Sequence, residues 1–219
     1  MKSTLKYIFA NSLFFRLFIV FVFSWTYLMF SYGDVGLFEL INEQHHPVFD
    51  QFFKYLTHVG GGWFALVIGL LLFAFKFRWG IIAAASFMGS AIVTQVLKRW
   101  VFDLPRPSVV FADSVQSMNL IEGVDLHMKY SFPSGHSTAV FAVFCLLSLL
   151  TIEKKYLGFL FCFIAILVGY SRAYLFQHFP EDILVGSLIG TLSSLIIYSW
   201  LKNKKFGNWG DKSIFKKTV

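Results

Sequence analysis

The chain has 219 residues, of which 57% are hydrophobic and 20% aromatic, while only 14% are charged. Soluble domains average roughly 45–50% apolar and about 25% charged residues, so the composition excludes a disordered chain and leaves too few polar side chains to cover a soluble globule. The formal charge of +7 would suit nucleic acid if the basic residues formed one stripe, and their distribution along the chain argues against that.

Six apolar stretches approach the roughly 20 residues that a bilayer-crossing helix needs: residues 13–32, 63–77, 80–97, 135–152, 156–170 and 183–201. The first exceeds the 7–15-residue apolar core typical of a cleaved secretory signal, and no small-x-small cleavage pattern follows it, so it reads as a retained helix. Arg16 lies near its start, where a long side chain snorkels to the interface. Ala83, Ala84, Ala85, Ser86, Gly89 and Ser90 thin the third stretch, and Gly186 and Gly190 form a small-xxx-small pair in the sixth, which suits close helix packing. Cys145 and Cys162 sit within apolar runs and read as packing residues, their spacing leaving open whether they bridge. Residues 100–132 form a connection long enough to be functional or interfacial. With no repeat or low-complexity tract, the expectation is a single all-α, polytopic domain over 1–219: six transmembrane helices in a bundle, a motif-bearing core at 98–182 and a basic tail at 202–219.

Sorting the charge by side orients the bundle. With both termini cytoplasmic, the cytoplasmic segments hold twelve basic residues, including Lys76, Arg78, Lys154, Lys155 and the tail lysines up to Lys216 and Lys217, against Glu153 and Asp211. The opposite side holds six basic residues against ten acids. That asymmetry obeys the positive-inside rule, and the tail reads as a solvated, membrane-proximal segment near anionic lipid, with no nucleic-acid partner.

The outer face concentrates unusual chemistry. Lys98 and Arg99 end the third helix, Arg106 stands between two prolines, and Ser134, Gly135 and His136 open the fourth helix. Arg172 closes the fifth, and His178 and Asp182 open the sixth. Pro133-Ser134-Gly135 suits a helix N-terminus, whose free N–H groups and positive dipole end favour a phosphate. Pro180 fits a first helical position, which leaves His178 just outside the first turn and lets Asp182 reach one ring nitrogen while the other stays free to attack. Taken singly, Lys98 and Arg99 suit a membrane-interface pair, His136 a helix-start histidine, and Arg172 a bridge to Asp182 or Glu181. Their convergence on one face points to an anion site.

Here the sequence resembles the type-2 phosphatidic acid phosphatases, which share a core with the vanadium haloperoxidases and bacterial acid phosphatases. The family pattern is Lys-x6-Arg-Pro, Pro-Ser-Gly-His, and Ser-Arg-x5-His-x3-Asp. The second part stands as Pro133-Ser134-Gly135-His136, and the third as Ser171-Arg172 followed by His178 and Asp182. The first departs: Arg99 lies six residues before Arg106-Pro107 and Lys98 seven, so either Arg99 replaces the lysine or a one-residue bulge lets Lys98 serve. The resemblance implies that His178 attacks phosphorus to form a phosphohistidine, that Asp182 raises its nucleophilicity, and that His136 protonates the leaving oxygen and later activates water. It also implies that Lys98 or Arg99, Arg106, Arg172, Ser134 and the Gly135 N–H cradle the phosphate. With this many cations no metal or other cofactor is required, and no carboxylate cluster suits magnesium.

The expectation is a metal-independent lipid phosphate or diphosphate phosphatase in the cell's inner membrane, acting on its outer face on a substrate that stays in the bilayer. Undecaprenyl diphosphate is the first choice, followed by phosphatidylglycerol phosphate, phosphatidic acid and lipid A phosphates. A non-hydrolytic anion transporter using the same cations and a vanadate-dependent haloperoxidase are the rival classes. Oligomeric state is left open.

Overall fold

The computed structural model describes residues 2–215; Lys216 and Lys217 of the predicted tail lie outside the described residues. In chain order the elements are α1 Lys2–Asn11, α2 Leu13–Asn42, α3 Pro47–Leu56, α4 Gly62–Phe75, α5 Phe77–Val96, the short α6 Pro107–Val110, α7 Gly135–Leu150, α8 Lys155–Tyr174 and α9 Pro180–Leu201. Helices therefore stand at all six predicted stretches, and no strand occurs among the described residues. By length and composition α2, α8, α9 and the stretch Phe77–Val110 that begins with α5 can each cross a bilayer. The segments Pro47–Gly60 and Gly62–Phe75 pass the same test only as a pair bent by 52°, which gives four candidate spans among the described residues, or five if the pair forms one broken span, against the six expected. Its 16 residues make α7 shorter than those helices, about 24 Å at 1.5 Å per residue, and it lies within the bundle.

The aromatic residues sort into two populations. Phe18 and Phe21 of α2 pack on Phe141 of α7 with ring centroids 5.5 and 5.8 Å apart, and Val140 to Leu146 of α7 are buried. By contrast, Phe30 is 90% and Trp63 80% exposed. Leaving such side chains in water would cost about 1.5–3 kcal/mol each relative to burial, which is why the outer surface of this bundle suits hydrocarbon rather than solvent.

Two departures from the sequence reading matter. First, α2 continues ten residues beyond Tyr32 after a break at Gly33, whose φ of +73° is left-handed backbone open to glycine. The break turns Asp34 toward α9, where its Oδ1 accepts from the Glu181 N–H at 2.7 Å, and Trp25 Nε1 donates to the Pro180 carbonyl at 3.0 Å. Second, the tail, expected as a solvated segment, makes specific contacts with the α4–α5 corner: Arg78 pairs with Asp211 at 3.2 Å, and the Ile214 N–H donates to the Ala74 carbonyl. Both cysteines are buried free thiols. The 100–132 connection contains the end of a π-helical turn over Leu97–Phe102, α6, a 3₁₀ turn at Ala112–Ser117 and irregular chain.

One close approach of α9 to α7 lies beside the site. A Cβ on Gly186 of α9 would stand 2.5 Å from the Ser134 carbonyl oxygen, so only glycine lets α9 lie against the start of α7. The Ser134 N–H in turn donates to the Asp182 carbonyl at 2.9 Å.

Candidate active site

Three helix ends build the site. At α9, Pro180 occupies the first turn and Asp182 bends back so that its Oδ2 accepts from the Phe179 N–H at 3.0 Å, closing the helix N-terminus. The same oxygen accepts from His178 Nδ1 at 3.0 Å and from the Ser131 hydroxyl. A carboxylate receiving Nδ1–H fixes that tautomer, and none of the hydrogen bonds among the described residues engages Nε2. His178 is 1% exposed. Burial, then the positive charges of Arg106, Lys98 and Arg172, hold its pKa well below the usual histidine value, so the imidazole stays neutral and nucleophilic.

The end of α8 places the first arginine. Phe176 adopts φ +61° after the last turn, and this left-handed residue reverses the chain so that the N–H groups of Gln177 and His178 both donate to the Arg172 carbonyl, at 2.9 and 3.2 Å. Phe176 is held there by Phe38 and Phe111, at centroid distances of 5.2 and 5.9 Å. The Arg172 side chain is buried and reaches two neutral acceptors, the Thr57 hydroxyl and Gln177 Oε1, while its Nε is buried with no partner. It forms no bridge to Asp182 or Glu181; the ion pairs among the described residues lie elsewhere.

Arg106 comes from the long connection. Its Nε donates to the Lys129 carbonyl and one Nη to the Gln177 carbonyl, both at 2.9 Å. At the start of α7, Ser134 is the N-cap: its hydroxyl accepts from the Ser137 N–H at 3.3 Å and hydroxyl at 3.0 Å. The next N–H groups, those of Gly135 and His136, begin a helix and have no intrahelical partner.

The displaced basic pair is separated by a turn of π-helix over Leu97–Phe102, which accommodates one residue more than an α-helical turn. Lys98 is consequently buried, close enough to Arg106, Asp182 and Arg172 to feel their charges. Arg99 is exposed, with its guanidinium 5.8 Å from the Tyr130 ring. It lines the mouth of a cavity of about 500 Å³ together with Lys98, Arg106, His127 and Lys129. A second cavity of about 540 Å³ runs between α4, α5 and α7, with Leu66, Leu70, Phe87 and Met88 on its walls and Gly135 and His136 at its edge.

All the predicted residues thus come to one end of the bundle, with Lys98 inside and Arg99 at the rim. Sequence reasoning missed Ser131, Gln177 and Thr57. Ser131 and Gln177 are polar residues adjoining the motifs, a signal available in the sequence; Thr57 lies in the α3–α4 turn and carries none. Among the described residues no group of three or more His, Cys, Asp or Glu side chains is arranged to hold a metal ion.

A family model described as the PAP2 superfamily matches residues 79–206. Phosphatidylglycerophosphatase B of Bacillus subtilis (strain 168) is 29% identical over 164 residues, covering 69% of this chain and 74% of that protein. An undecaprenyl-diphosphatase of Sulfolobus acidocaldarius is 30% identical over 165 residues, covering 74% and 76%. Among solved structures, the crystal structure of Aquifex aeolicus LpxE is similar with a TM-score of 0.67 and 31% identity, over 76% of this chain and 94% of that one.

Proposed function

The chain belongs to the PAP2 superfamily, whose phosphatases hydrolyse phosphate esters, and from that premise we propose that it dephosphorylates a lipid phosphate or diphosphate through a phosphohistidine on His178. The observation that carries the mechanism is the Asp182 carboxylate on His178 Nδ1, with Nε2 in no hydrogen bond among the described residues and the charges of Arg106, Lys98 and Arg172 close enough to act on the ring.

In the first step Nε2 attacks phosphorus as the bond to the leaving oxygen breaks, and the electron pair on that oxygen takes a proton from His136, which receives that proton from the phosphate monoanion as it binds, because burial and the charges of Arg172, Arg106 and Lys98 keep the ring neutral beforehand. Asp182 balances the positive charge that develops on His178. Lys98, Arg106 and Arg172, with the N–H groups opening α7, stabilise the equatorial oxygens. In the second step neutral His136 takes a proton from water, the water oxygen attacks phosphorus, and the P–N bond breaks to return His178 and inorganic phosphate. No step needs a metal.

The apolar cavity beside His136 supports a lipid leaving group, since it gives a hydrocarbon chain a place next to the acid. Six spans with both termini cytoplasmic would put the site at the outer face of the inner membrane. Of the candidate substrates, undecaprenyl diphosphate stands first, as a lipid that has to be recycled on that face, followed by phosphatidylglycerol phosphate, phosphatidic acid and lipid A phosphates; relatives named for the first two and for lipid A are among those the chain resembles. The test is phosphate release by the detergent-purified chain from a panel of lipid mono- and diphosphates. Release that His178→Ala abolishes supports the reading, whereas full release by that variant overturns it.

A further inference from the structure

Among the described residues Arg172 is a buried cation without a carboxylate partner, an arrangement that demands compensation from neighbouring acceptors. Its side chain is 6% exposed, yet its two terminal nitrogens are met only by Thr57 Oγ1 and, at 3.5 Å, by Gln177 Oε1. The orphaned Nε is buried as well. Neutral acceptors orient a guanidinium without cancelling its charge, whereas a carboxylate would form a bidentate pair and compete with the phosphoryl oxygens.

Gln177 does more than touch Arg172. It is 2% exposed, its main-chain carbonyl accepts from Arg106 at 2.9 Å, and its Nε2 donates to the Asp125 carbonyl at 2.9 Å. One residue therefore bridges both arginines and ties them to the connection before α7, immediately before the nucleophile in sequence. Thr57 arrives independently, from the α3–α4 turn outside the region that the family model matches.

We infer that Thr57 and Gln177 form a neutral clamp that presets the Arg172 guanidinium for the phosphoryl group at full charge. Both are positioning residues: they act through Arg172. This inference rests on the phosphatase reading for its substrate, and its test is chosen to stand apart from catalysis.

The measurement is the dissociation constant of inorganic phosphate for the full chain in detergent, taken alongside melting temperature and lipid phosphate turnover. Thr57→Val, which keeps the shape but not the hydroxyl, is expected to weaken phosphate binding about tenfold, and Thr57→Ser to restore it to within about twofold. Gln177→Leu and Gln177→Glu both lose the donor to Asp125, so their difference isolates the charge beside Arg172. The glutamate variant is expected to bind phosphate at least about tenfold more weakly than the leucine variant and to raise the pKa of His178. Should the Gln177 variants fail to fold, the Thr57 pair decides. Binding as tight in Thr57→Val as in the parent chain, a glutamate variant no worse than leucine, or a folded parent chain that binds no phosphate overturns the clamp. Phosphate binding that responds as expected in a chain that turns over no lipid phosphate leaves the clamp standing and overturns the phosphatase reading.

Discussion

The Ser134 N–H donates to the main-chain carbonyl of Asp182 at 2.9 Å, so the helix start that would receive phosphate and the helix start that holds His178, the proposed nucleophile, share a backbone hydrogen bond. Gly186, in the second turn of α9, allows it by letting the helix lie against the Ser134 carbonyl. Gly186→Ala therefore forces α9 away from α7. It is expected to lower stability by about 1–3 kcal/mol and turnover by more than its loss of folded protein explains, read by thermal unfolding and by activity per folded molecule.

Lys98 and Arg99 separate by environment. Lys98→Met is expected to lower kcat/KM for lipid phosphate by about 10²-fold, in the range for losing one donor to a developing oxyanion. Arg99→Gln, at the solvent-facing rim, should cost less than about tenfold, as rim charges act mainly on encounter. The two substitutions having equal effects would contradict the placement of Lys98 inside.

That placement also shows what the sequence could and could not reveal. The caps were legible, because Pro180, Asp182 and Ser134 carry local chemistry at fixed spacing, and both helices begin where that spacing predicts. The choice between Lys98 and Arg99 was not, because a π-turn is a change in backbone hydrogen bonding with no residue signature of its own. Thr57 was invisible for a different reason: it meets Arg172 across 115 residues of chain, a contact set by packing alone. The amphipathic helix Pro47–Leu56 was missed because its polar residues break the long apolar run that marks a span, and the break at Gly33 hid the continuation of α2.

His178 offers a titration with a definite sign. Burial and the charges of Arg106, Lys98 and Arg172 lower its pKa from 6.5, so in phosphate-free detergent its ring is expected to remain neutral at pH 6 by histidine-selective NMR. Replacing Lys98 by Met removes a cation and should move that pKa upward. Because the folded chain binds this proton more weakly than the unfolded one, the site's contribution to stability is full above pH 6.5 and is lost as pH falls below it. An imidazolium signal for His178 at pH 6 in the parent chain would contradict the electrostatics described.

Turnover is expected to survive chelation. With three buried or nearly buried cations and helix N–H groups around the phosphate, EDTA should leave the rate within about twofold, and a large loss restored by a divalent cation would contradict a mechanism that uses only side chains.

The most direct test of the central claim is to trap the intermediate. Lipid phosphate labelled in its terminal phosphoryl group is mixed with the purified chain, quenched within a turnover and digested. Label is predicted on the peptide that contains His178, stable to base and released by acid, and absent from His178→Ala. Turnover without label on His178, or label on another residue that persists in His178→Ala, would contradict covalent catalysis by this histidine.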